Sequence, residues 1–162
     1  MGLDAYVPCR CFQNGLTKPA PFELELDVES GHPDLRDHGN SSLWEAYNSW
    51  EATACEHEGF DYDGDWMQNW SGVRRFGDIV TTRARTICPN LVGEWAYVGN
   101  GGHVPLDVCV VMAAEAEELE RVLREDSAWI ASEDSGWVLD LIARLRRLLR
   151  AAVVAGTALH WC

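Results

Sequence analysis

The sequence predicts one α+β domain, a small mixed or antiparallel sheet covered by about four helices, and three observations carry that expectation. The 162 residues are 47% apolar and 24% charged, a globular composition at a length that buries about two-thirds of the unfolded chain's surface in one core. Apolar residues recur with period two near 3–12, 22–28 and 103–112, the spacing that puts alternate side chains on one face of a strand. They recur at three and four residues over 42–57, 71–86, 113–125 and 132–155, as on a helix with one buried stripe.

In chain order, Leu3, Ala5, Val7, Cys9 and Cys11 share one parity and predict a strand over 3–12 with one face inward. Pro8 lacks the amide that a ladder needs, so that strand is expected at an edge or bulged there. Asn14-Gly15 marks a turn and Pro19-Ala-Pro21 an extended connector. Phe22, Leu24, Leu26 and Val28 alternate with four acidic residues, which predicts a half-buried strand. The stretch 30–41, rich in Gly, Pro, Asp and Asn, reads as a loop with His32 and His38 exposed in it. Ser42 and Glu45 fit a capping box. Leu43, Tyr47, Trp50, Ala54 and His57 then form an inward helical stripe that Gly59 can close.

Residues 60–70 interleave aromatics with Asp61, Asp63 and Asp65. An EF-hand loop is excluded, because its obligatory glycine is replaced by Trp66 and its terminal glutamate by Gly72. Ser71 can cap a second helix with Val73, Phe76, Val80, Ala84 and Ile87 inward, ended by Cys88-Pro89. A hairpin is expected next, from strands over 94–98 and 103–112 around the glycine-rich turn 99–102. The helix over 113–125 carries Glu117–Arg121 and Glu120–Arg124 as i,i+4 pairs. The last helix turns Val138, Leu141, Ile142, Leu145, Leu148 and Leu149 inward, with Arg144, Arg146, Arg147 and Arg150 on an acid-paired outer face. Gly156 ends it, and 157–162 can return as a short strand.

The net charge is −13, and residues 1–70 alone hold 14 acids against three bases. Such a field repels phosphate backbones and attracts cations, so nucleic acid is disfavoured as a partner and a basic protein or a metal ion favoured. No apolar run is long enough for a membrane span, and no basic start precedes an apolar stretch as in a secretory signal. The expected setting is the cytoplasm. There, six cysteines are read as thiols or metal ligands and not as a disulfide framework.

Cys9 and Cys11 on one strand face would bring two thiols together, and Cys55 and His57 at a helix end can supply two further ligands of a tetrahedral zinc site. His103 after the glycine turn is an alternative ligand. Ordinary buried thiols with a hydrogen-bonded histidine fit the same residues, as does a cysteine nucleophile with a histidine base. The sequence contains no GxGxxG, no GK[ST], no HExxH and no serine elbow. The rings and acids at Asp61, Tyr62, Asp63, Asp65, Trp66 and Trp70 fit either a core or an anchoring surface for a basic partner.

Met-Gly-Leu-Asp at 1–4, Val7-Pro-Cys-Arg-Cys11, Ala54-Cys-Glu-His-Glu58 and Gly101-Gly-His103 occur in that order along most of the chain. In these elements the sequence resembles a family of small uncharacterised bacterial proteins, a resemblance that implies neither an enzyme nor a substrate. The functional expectation is therefore an acidic cytoplasmic binding protein that engages a protein partner, for example as an immunity or toxin-neutralising protein. The competing expectation is a metal-dependent or thiol enzyme built on Cys9, Cys11, Cys55, His57 and His103.

Overall fold

The computed structural model describes residues 2–28, 30–36, 40–94 and 101–162. Strands β1 (Gly2–Pro8), β4 (Asp61–Asn69), β5 (Gly102–Val104) and β6 (Leu159–Trp161) form one antiparallel sheet in the order β4-β1-β6-β5. Strands β2 (Leu24–Leu26) and β3 (Pro33–Leu35) form a separate two-stranded ribbon. The helices are α1 (Ser41–Ala54), α2 (Trp70–Ala84), α3 (Pro89–Glu94), α4 (Leu106–Glu125), α5 (Ser127–Ile130) and α6 (Ser135–Ala155). This is the single α+β unit expected. Among the described residues no helix is long and apolar enough to cross a membrane.

Among the described residues the buried apolar side chains separate into two cores. In the larger, Leu3, Ala5 and Val7 of β1 face α6, which lies against β1 and β4 and in turn packs on α4. In the smaller, Leu35, Tyr47, Trp50, Ala54 and Phe60 gather around Cys9 and Cys11. The chain crosses from the larger core to the smaller at Pro8, where the β1–β4 register shifts. The bulge expected at Pro8 is therefore present, but β1 is an interior strand and no edge. Its ladder stops at Pro8, so Cys9 and Cys11 stand in the following turn and not in a strand over 3–12.

Other expectations change for local reasons. The 22–28 alternation yields only the three residues of β2, with Leu26 and Val28 exposed, because that ribbon leans on α1 through Phe22 and Leu24 and does not enter the main sheet. Its partner β3 lies in the stretch expected to be a loop. The oxygens of Asn40 and Asn69, not those of Ser42 and Ser71, cap α1 and α2. Residues 61–69 form a full strand, since acid–aromatic alternation is itself a period-two pattern.

The larger error concerns 103–112. Only Gly102–Val104 is extended; after Pro105 the chain enters α4, with Cys109, Met112, Ala116, Leu119 and Leu123 buried at helical spacing. A short β-branched run has no period of its own, and proline just before the helix suits the change of direction. Of the other strand expected over 94–98, Glu94 instead ends α3, and the rest of it falls on 95–100, as His38 falls on 37–39, outside the described residues.

The arginines of α6 are acid-paired as expected: Arg144 with Asp140, Arg146 with Glu120, Arg147 with Asp63 and Asp65, and Arg150 with Glu117. Glu117 is thereby taken from Arg121, which binds Glu118 and Glu125 instead, while Arg124–Glu120 forms as expected. Gly156 closes α6 in left-handed backbone, and 159–161 returns as β6 in the middle of the sheet.

Candidate metal centre

Two chain reversals build the site. After β1 the Cys9 amide donates to the Phe60 carbonyl at 2.6 Å, and the turn beyond closes with the Leu16 amide donating to the Cys11 carbonyl at 2.8 Å. On the other side, α1 ends at Cys55, whose backbone is extended, so His57 lies past the helix and not on its stripe. Gly59 and Phe60 then take φ of 58° and 63° and turn the chain into β4. A bulky residue in left-handed backbone is uncommon. Phe60 is held there by complete burial in the small core and by the bond from Cys9.

Cys55 and His57 are thereby placed against Cys9 and Cys11. Each of the four residues offers a ligand atom within 4.8 Å of the other three. Cys9 Sγ is 3.9 Å from Cys55 Sγ, and His57 Nδ1 is 3.4 Å from Cys11 Sγ and 3.9 Å from Cys55 Sγ. Bonds of about 2.3 Å to sulfur and about 2.0 Å to nitrogen around a tetrahedral ion imply ligand–ligand edges of about 3.5–3.8 Å. These three separations lie close to those edges, and the cluster can hold a metal ion.

Burial pushes the Cys9 thiol up to about 12, and burial likewise raises Cys11. A bound cation is what converts such thiols to thiolates, because coordination deprotonates them outright. The four donors come from two segments more than 40 residues apart, so an ion between them would tie the end of β1 to the end of α1.

His103 does not join this cluster. It stands on β5 opposite His160, with ring centroids 5.4 Å apart, because the chain after Gly101-Gly102 pairs with β6. Of the expected partner-binding residues, Asp63 and Asp65 are engaged by Arg147, and Asp61 Oδ1 lies 2.9 Å from His32 Nε2. His32 is accordingly half-buried and paired, not a free loop histidine. Tyr62 and Trp66 remain exposed, at 40% and 48%, whereas Trp70 is half-buried against the main core at the start of α2. Sequence reasoning passes over Tyr6 and His160, which meet only through β1–β6 pairing. No family model, curated protein or solved structure matches this chain.

Proposed function

We propose that the protein is a zinc-stapled binding protein whose task is to engage a basic protein partner. The observation that carries the metal half is the mutual approach of Cys9, Cys11, Cys55 and His57 within 4.8 Å. Three thiolates and an imidazole are soft and borderline donors that suit Zn²⁺ in tetrahedral geometry. Four protein ligands fill that geometry and keep no position open for substrate, which favours a structural ion over a catalytic one. Protein purified without a histidine tag is expected to carry about one zinc per chain by elemental analysis. Replacing both Cys9 and Cys11 with Ser should abolish it; zinc retained by that variant overturns the assignment.

The partner half rests on the −13 charge, concentrated in residues 1–70, and on the exposed rings of Tyr62 and Trp66 along β4. Charge of this sign steers a basic partner, and rigid rings supply anchoring area. Neutralising a basic toxin is one instance of such binding. A partner captured by the wild-type chain should be lost by the double variant Tyr62→Ala/Trp66→Ala. Undiminished capture counts against this surface.

A further inference from the structure

The sheet face opposite the α4–α6 layer carries a row of residues that crosses all four strands. Gly64 of β4 pairs with Tyr6 of β1, Tyr6 with His160 of β6, and His160 with His103 of β5. Tyr6 lies on the opposite parity from Leu3, Ala5 and Val7, and so on the opposite face. Ring centroids step along the row at 5.5 Å from Tyr6 to His160 and 5.4 Å from His160 to His103.

The tip of the β2–β3 ribbon closes over this row. The Asp27 amide donates to the His32 carbonyl and the Gly31 amide to the Asp27 carbonyl, each at 2.8 Å. The tip is docked by the His32–Asp61 pair and by His32 at 5.1 Å from the Tyr6 ring. A side chain at Gly31 would strike Pro8 at 2.7 Å, so the approach is close. A cavity of about 720 Å³ remains, lined by residues of the tip and of the row, and a second of about 490 Å³ adjoins it, with Tyr6 and Cys162 in both walls. Volumes in this range suit ligand binding.

We propose that this paired cavity receives an arginine or lysine side chain from a segment of the protein partner. Asp27 lines the first cavity, one of its oxygens accepting from the Ser30 amide, and Asp4 the second, beside Asp61 and Asp65, which His32 and Arg147 already engage; no lysine or arginine is among the described residues lining either. Burial, together with the nearby Cys162, Asp61 and Asp27, pushes the Tyr6 phenol up to about 12. Tyr6, its ring packed between those of His32 and His160, stays neutral in a negative field, and its hydroxyl oxygen can accept from a cation. Val28, 81% exposed, stands on the wall of the first cavity, where it adds apolar contact for a residue flanking the cation. That contact favours a peptide segment over a free amine. The inference deepens the partner-binding reading and rests on it, and the ribbon tip belongs to the lobe that the metal cluster holds.

The test is a titration of the full chain with acetyl-Gly-Arg-Gly-amide, acetyl-Gly-Glu-Gly-amide and free arginine, read by amide chemical shifts. Saturable shifts at Tyr6, Gly102 and Cys162 are expected with the arginine peptide alone. Asp27→Asn should weaken that binding about tenfold, the worth of one charge-assisted hydrogen bond. Glu45→Gln makes the same change of charge at an exposed residue of α1 that lines neither cavity and should leave binding within about twofold, since solvent screens such a charge. Equal weakening by both variants, or shifts confined to other residues, overturns the site. Free arginine binding as tightly as the peptide overturns the assignment to a protein segment. The expected pattern in a chain that carries no zinc would sink the metal reading and leave this one standing. Partner capture that depends on Tyr62 and Trp66 without these shifts would leave the partner-binding reading standing and sink this one.

Discussion

Gly31 and Gly59 both hold left-handed backbone, with φ of 76° and 58°, yet their surroundings set different costs for a side chain. A Cβ at Gly31 would meet Pro8 at 2.7 Å and His160 at 3.3 Å, whereas at Gly59 nothing lies within 4 Å. The backbone term is about 1–2 kcal/mol at either position. Overpacking adds about 1–3 kcal/mol only at Gly31. Urea denaturation should therefore show Gly31→Ala losing about 2–5 kcal/mol and Gly59→Ala about 1–2 kcal/mol. Equal losses would mean that the ribbon tip is not seated on the sheet.

Among the elements, short α5 depends on its cap. Asp126 accepts from the Trp129 amide at 3.0 Å and pairs with Arg83, whose guanidinium stacks over the Trp129 ring at 4.7 Å. The Trp129 amide bond, followed by other local bonds and the Arg83 charge, holds the Asp126 carboxyl below the usual carboxylate range. A folded-state pKa below the unfolded one gives stabilisation that is present above the unfolded value, about 3.9, and lost as pH falls through the folded one. The protection factor of the Trp129 amide, its exchange rate normalised to the intrinsic rate at each pH, should fall on acidification from pH 5 through the folded-state value. Asp126→Asn keeps an acceptor and should remove that acid-side dependence; an unchanged profile would show that the cap is not the titrating group. The sequence reading passes over both the Asp126 cap and its Arg83 partner, 43 residues away, which only the tertiary structure brings together.

At the scale of the molecule, two cores share one chain, and the cysteine–histidine cluster lies in the smaller. A metal supplies folding free energy where apolar burial is limited. Chelation should then raise hydrogen exchange over 9–60 while α4 and α6 of the main core stay protected, as measured by mass spectrometry of the full chain. A uniform rise across the chain would show that the cluster supports both cores alike. The same experiment would report on the ribbon tip, whose contacts with Tyr6 and Asp61 join the two lobes.

The sequence by itself determined the class of the fold, the long helices α1, α2 and α6 and the acid-paired arginines, and it put forward, together with His103, the four residues that can share a metal ion. Each follows from local periodicity or from donor chemistry, which a linear pattern carries. It misplaced 103–112 because a β-branched run serves a strand and a buried helix equally well, and only packing against α6 chose the helix. It also put Cys9 and Cys11 on a strand, when the register shift at Pro8 moves them into a turn. Tertiary structure alone decided that His103 belongs with His160 and not with the cysteines. It decided too that Asp63 and Asp65 face arginines of α6, and that Tyr6 lies beneath a ribbon tip. Those are outcomes of strand pairing and layer packing between distant segments, a choice that local spacing does not encode.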